Sequence, residues 1–364
     1  MKILAIIPAR AGSKENRNKN YDLIRTFAII LVVFCHSIEK IYNNYNYFEL
    51  SNVSRFFRII SFSLSRLGVP LFLCLTGTLI LKKEINNEKD ILNFYKKNLI
   101  PLVITYEIWN IIYTIFIYFN TGTFNIFDLI CDLFFVKVVN LPNIWYMPMI
   151  IGIYIALPFV SIILKKVTFK AIKIPLILSI VVFSVLPSVN VILSIFGLSN
   201  YFVLLDLSFL GGTYGIYILF GYYMANKNIL KGISSKKLIL LFIIFFGITV
   251  CIQSLSNTDY VYYVWYNFIT LLICGILLFE LLNRLKIKNN QIIFFTNYIS
   301  RIGFAIYLIH IIFIEIYGKW ILNFLIINPL KVLVLFTIVF LSSIVMIYVL
   351  SKLKFIKSKV FLIK

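Results

Sequence analysis

The strongest constraint on this chain is its series of long apolar runs joined by short polar loops. Ten runs of about 20 residues can be laid out, at approximately 22–42, 57–81, 98–119, 144–164, 174–193, 203–224, 238–255, 262–282, 298–318 and 326–350. A helix of about 20 residues crosses the roughly 30 Å of hydrocarbon in a bilayer. Backbone in that layer has no water to bond, and with loops this short helices satisfy it better than a barrel. The expected fold is therefore an all-α polytopic membrane protein with about ten transmembrane helices. Composition agrees: 61% of the 364 residues are hydrophobic and 13% are charged, against about 45–50% and about 25% in soluble domains.

The formal net charge of +21 invites a nucleic-acid reading, but its distribution argues against one. Lys and Arg cluster in alternate loops. The segment through Arg25, the loops 82–97, 165–173, 226–237 and 283–290, and the stretch 352–364 hold 27 of the 35 basic residues. That asymmetry is the positive-inside pattern, so both termini are expected in the cytoplasm. No soluble basic domain is present to hold nucleic acid. The five cysteines are scattered with no CxxC or zinc-ligand spacing, so neither a disulfide framework nor a metal site is expected.

Two ionisable side chains stand out because charge inside a bilayer is costly. His36 and His310 are the chain's two histidines, and both fall in apolar runs. Arg25 precedes His36 by eleven positions, a rise of about 16 Å that returns to within about 20° of the same helix face. Such an arrangement suits a substrate with a polyanionic head and a reactive end. Arg pairs well with phosphate, and a partly buried imidazole is a common general base. A core histidine bonded to a backbone carbonyl is the other reading of His36.

At this point five stretches become recognisable. Arg25-x10-His36 in NYDLIRTFAIILVVFCHS resembles the signature of the acyltransferase-3 family of membrane-bound acyltransferases. RLGVPLFLCLTGTLI (66–80), FYKKNLIPLVITYEIWNIIY (94–113), IWYMPMIIGIYIALPFV (144–160) and ISRIGFAIYLIHIIFI (299–314) resemble further segments of that family, in its order. The resemblance covers roughly residues 21–350. It implies transfer of an acyl group, usually acetyl from cytosolic acetyl-coenzyme A, to a sugar hydroxyl of a cell-surface glycan or lipid-linked precursor. The setting implied is a bacterial plasma membrane, with no permanently bound cofactor.

The resemblance also implies roles. His36 would be general base toward the acceptor hydroxyl or would briefly carry the acyl group. Arg25 would bind the coenzyme A phosphates or fix its helix beside a carboxylate. Lys96 and Lys97 stand at the family's basic cluster, although Asn98 replaces the Arg common there. Arg66 joins the donor-binding set, with a helix-packing ion pair as its plainer reading. His310 would orient a partner, line the acceptor path or make a structural hydrogen bond. Glu107 could pair with Arg66 or Arg25, while Asp206, Glu280 and Glu315 have no assigned role. Tyr260, Tyr262, Tyr263 and Trp265 read as an interfacial belt rather than a sugar platform. The rival class is a non-catalytic polysaccharide or acyl-group exporter, but no inverted repeat or paired broken helices are evident.

Residues 1–20 differ from all of this. IIPARAGSK, with Lys19-Asn20, resembles the amino-terminal motif of CMP-sialic acid synthetases. The rest of that enzyme's sheet is missing, and one strand cannot pair its own backbone. The expected organisation is a non-functional basic leader at 1–20, an acyltransferase-3-like membrane domain at 21–351 and a basic cytoplasmic tail at 352–364. The leader points to a sialic-acid-like glycan as genetic context, not to chemistry in this chain.

Overall fold

The computed structural model describes residues 18–123, 125–135, 144–198, 212–255 and 264–363. Nucleotidyltransferase-like residues 1–17, Asp206 and Tyr260, Tyr262 and Tyr263 lie outside them. The described residues form fourteen α-helices and no strand. In chain order these are α1 (Lys19–Tyr42), α2 (Asn52–Ser65), α3 (Gly68–Ile80), α4 (Glu88–Phe94), α5 (Ile100–Thr121), α6 (Ile126–Leu133) and α7 (Tyr146–Lys166). They continue as α8 (Phe169–Ile180), α9 (Leu186–Ile195), α10 (Gly212–Lys227), α11 (Ser235–Ser254), α12 (Ile269–Asn283), α13 (Asn290–Ile321) and α14 (Asn328–Leu350).

Eight helical stretches among the described residues are long and apolar enough to cross a membrane. Shorter helices stand at the remaining two expected spans. α12 has 15 residues, a length of about 22 Å, because the chain reaches Phe268 as an irregular turn and becomes helical only at Ile269. α10 covers the described part of the expected span 203–224. The expected span 57–81 is one crossing made of two helices. Its break at Arg66–Leu67 has a local cause: Pro70 lacks an N–H and its ring crowds the carbonyl four residues earlier.

Close helix contacts depend on small residues, as expected where lipid gives helices no hydrophobic reason to associate. A Cβ added at Gly77 would lie 1.8 Å from the Ile218 carbonyl oxygen, and one at Gly221 would lie 2.0 Å from that of Cys74. The backbones of α3 and α10 therefore touch, and Thr78 Oγ1 donates to the Gly221 carbonyl at 2.9 Å. α1 is the central helix, packed against α13, α3, α14, α2 and α12.

The order of contacts shows that α1 and α13 run parallel. Asp22 meets Ser300, His36 meets His310 and Lys40 meets Glu315. α5 runs the same way, since Tyr113 bonds the Leu308 carbonyl and Asn120 receives Lys319. In the region expected as a basic tail, Lys352, Lys354 and Lys359 are exposed, whereas Val360, Phe361, Leu362 and Ile363 are buried. Thr105 Oγ1 and Trp109 Nε1 of α5 donate to the Lys359 and Val360 carbonyls at 2.8 and 2.9 Å. These bonds satisfy backbone that would otherwise be unpaired among apolar side chains.

Candidate active site

α1 starts cleanly because the Asn18 side chain accepts from the Asn20 and Tyr21 amides. Its second half carries His36, Glu39 and Lys40, spaced three and four positions apart and so on one face. His36 Nδ1 lies 2.8 Å from Glu39 Oε2. A carboxylate accepts, so Nδ1 carries the proton, and in the neutral ring Nε2 presents the lone pair. The other carboxylate oxygen, Oε1, lies 3.5 Å from Arg66 Nη2. Arg66 reaches this point from the α2–α3 break. Its guanidinium carbon sits 3.7 Å from the Trp265 ring centre and 4.4 Å from that of Phe62, a cation–π arrangement with one ring on the far side of the sequence.

His310 supplies a second imidazole. Its Nδ1 lies 2.7 Å from the Tyr307 carbonyl and 3.1 Å from that of Ile306. Carbonyls only accept, so here too Nδ1 carries the proton and Nε2 is the free lone pair. The His36 and His310 rings are 5.3 Å apart, tilted by 35°. His310 is buried, and its Nε2 has no hydrogen-bond partner among the described residues.

His36, Glu39 and Arg66 border a cavity of about 750 Å³. Trp145, Tyr146, Trp265 and Tyr266 form an aromatic wall facing His36, Glu39 and Arg66. Trp145 packs on both Tyr214 and Tyr266, with ring centres 5.8 and 5.7 Å apart. Lys40, Asn43, Asn44 and Glu315 lie at its upper rim, at the carboxyl-terminal ends of α1 and α13. There Lys40 Nζ meets Glu315 Oε2 at 2.6 Å. The Lys40 stem crosses Gly318, where an added Cβ would come within 2.7 Å of it. A pocket this size, apolar with a few convergent polar groups, has the character of a small-molecule site.

The residues singled out in the sequence separate into three places. His36, His310 and Arg66 come together. Arg25 is buried lower in the seam between α1 and α13, 3.0 Å from Asp22, and Ser300 Oγ donates to the same Asp22 oxygen at 2.8 Å. That placement speaks for the second expected role of Arg25, fixing its helix beside a carboxylate. Lys96 and Lys97 are exposed on a π-turn (Tyr95–Leu99) between α4 and α5. They precede Tyr113 by at least 16 residues, about 24 Å along the helix, and so lie at the bundle end opposite the cavity rim. Asn98 is buried, and its side-chain oxygen accepts from Lys83 Nζ at 3.2 Å.

The expected pairing of Glu107 with Arg66 or Arg25 is corrected. Arg66 meets Glu39 and Arg25 meets Asp22. Glu107 sits half-buried on α5, and its Oε2 has no hydrogen-bond partner among the described residues. Trp265, expected in an interfacial belt, covers Arg66 in the cavity wall. Glu280 pairs with Arg284 at 2.6 Å beyond the site.

Sequence reasoning missed Glu39, Tyr307 and the wall formed by Trp145, Tyr146 and Tyr266. Two had a local signal: Glu39 lies three positions after His36, and Tyr307 three before His310. The aromatic wall had none, because it assembles from segments more than 100 residues apart. Among the described residues, no group of three or more His, Cys, Asp or Glu could hold a metal ion. A family model described as an acyltransferase domain matches residues 18–352. No curated protein and no solved structure matches the chain.

Proposed function

The chain belongs to the acyltransferase-3 family of membrane O-acyltransferases, and from that membership we propose that it moves an acetyl group from acetyl-coenzyme A to a sugar hydroxyl of a surface or lipid-linked glycan. One observation carries the catalytic part of this reading: the 2.8 Å bond from His36 to Glu39 inside a roomy cavity. The carboxylate fixes the imidazole tautomer with Nε2 free, and it stabilises the imidazolium formed on proton uptake. This is the logic of a carboxylate-backed histidine base.

The acceptor hydroxyl gives its proton to His36 Nε2 as its oxygen attacks the thioester carbonyl. The tetrahedral intermediate expels the coenzyme A thiolate, which takes the proton back. Arg66 lies 3.5 Å from the second oxygen of Glu39 and helps to hold that carboxylate in place. The aromatic wall gives apolar faces against which a sugar ring can lie, and Asn43 and Asn44 offer hydroxyl partners at the rim. The donor comes from the opposite, Lys96-Lys97 end, which is cytoplasmic under the positive-inside pattern. The setting is a bacterial plasma membrane.

The test supplies radiolabelled acetyl-coenzyme A to membranes that contain the protein and a glycan acceptor. Label in the glycan, removed by mild base as an O-ester would be, is the expected result. Absence of labelled glycan with every acceptor offered, from protein shown to be inserted, would contradict the reading.

A further inference from the structure

Buried polar atoms without partners are uncommon, because each gives up a hydrogen bond that water would have made. Two neighbours in the cavity wall depart from that rule. The hydroxyls of Tyr146, at the start of α7, and Tyr307, on α13, are buried with no hydrogen-bond partner among the described residues. Both residues line the cavity. Their rings are 5.7 Å apart at 67°. Tyr307 lies 6.0 Å from His310, and His310 lies 5.3 Å from His36. One continuous set of rings thus joins the two phenols to the proposed base.

Other buried phenols nearby do find acceptors. Tyr113 donates to the Leu308 carbonyl, and Tyr217 donates to that of Tyr266 at 2.9 Å. The fold can therefore satisfy tyrosines in this region, yet among the described residues it leaves the buried hydroxyls of these two cavity-lining side chains without an acceptor. Two neutral donors so placed suit a ligand atom that accepts two hydrogen bonds. In acyl transfer, that atom is the carbonyl oxygen of the group being moved.

We propose that Tyr146 and Tyr307 are the donors that hold the acyl carbonyl and stabilise its developing oxyanion; this rests on the acyl-transfer reading above. As the acceptor oxygen bonds to the carbonyl carbon, the carbonyl π pair moves onto oxygen and the hydroxyl proton passes to His36. The two phenols donate to that oxygen without giving up their protons. When the carbon–oxygen double bond re-forms, the carbon–sulfur bond breaks and the thiolate takes the proton from His36. The phenols bind the oxygen more tightly as charge grows, so their contribution appears mainly in kcat.

The experiment compares Y146F and Y307F with wild type in steady-state acetyl transfer and in thermal unfolding in detergent. Each change removes one oxygen atom and keeps the ring. The expected result is a loss of 10-fold or more in kcat, a KM for acetyl-coenzyme A within about threefold, and an unfolding midpoint equal to or above wild type. The midpoint is the discriminating readout, because an unsatisfied hydroxyl adds nothing to the resting fold. A fluorinated tyrosine at 307 keeps the fold and strengthens the donor, and kcat should follow phenol acidity. Retention of more than half the wild-type kcat in both Phe variants would overturn the proposal. So would a lowered midpoint accompanying the loss, or an effect confined to acceptor KM. An inactive wild type would instead reject the acyl-transfer reading itself.

Discussion

The seam between α1 and α13 holds two polar clusters about four helical turns apart, and they are built differently. The lower one is closed. Asp22 receives both Arg25 at 3.0 Å and Ser300 at 2.8 Å, and all three are buried. The upper one is open. Glu39 receives His36 and meets Arg66 beside a cavity of about 750 Å³, and His310 Nε2 has no partner among the described residues. The difference teaches how to read the Arg25-x10-His36 spacing. One end of that signature pairs with Asp22, which also takes Ser300 of α13 and so ties the two parallel helices together. The other end carries the proposed base.

The largest expected effect lies in the upper cluster. His36→Ala should lower transfer at least 100-fold while the protein remains inserted and folded, because a positioned general base contributes about that much or more. Steady-state transfer on purified protein checks this. Retention of a tenth of the activity would remove His36 from the base role.

The lower cluster should respond in stability. Breaking a buried ion pair costs about 3–5 kcal/mol, because the partner is left charged and buried. Arg25→Met should therefore lower the unfolding midpoint sharply, and the double change with Asp22→Leu should recover much of the loss. Activity per folded molecule should stay within about threefold in the double variant. A dead but fully stable double variant would move Arg25 from clamp to substrate contact.

A smaller effect is expected at the far end of the bundle. Lys96→Ala with Lys97→Ala should raise the KM for acetyl-coenzyme A several-fold with little change in kcat. Contacts to unreacting phosphates persist from ground state to transition state. The effect should shrink as salt rises, since these lysines are exposed. An unchanged KM would separate the pair from donor binding.

The smallest effect belongs to the cavity rim. Lys40 and Glu315 are partly exposed, and such pairs contribute about 0.2–1 kcal/mol. Glu315→Gln should leave the unfolding midpoint almost unchanged. A large drop would show that the rim, not only the lower clamp, holds α1 to α13.

The membrane helices were legible in the sequence because the bilayer imposes length and apolarity on each crossing. The count was less sharp: α12 is short because the chain before Ile269 is turned toward the cavity and places Trp265 against Arg66. The run 57–81 was expected unbroken, and the turn ahead of Pro70 delivers Arg66 to Glu39, a pairing of residues 27 positions apart. Asp22 lay three residues before Arg25 and was the local answer to its partner, whereas Glu107 was the distant one. The stacking of Trp265 on Arg66 spans almost 200 residues, so no periodicity could announce it.

The division of the seam is tested most directly by two isosteric changes measured side by side, Glu39→Gln and Asp22→Asn, each for kcat per folded molecule and for unfolding midpoint. Glu39→Gln should lose on the order of 100-fold or more in kcat, because it unsettles the His36 tautomer and removes the charge behind the imidazolium. Its midpoint should hold. Asp22→Asn should lower the midpoint and leave kcat within about threefold. The opposite pattern, with Asp22→Asn catalytically dead at full stability and Glu39→Gln active, would contradict the account.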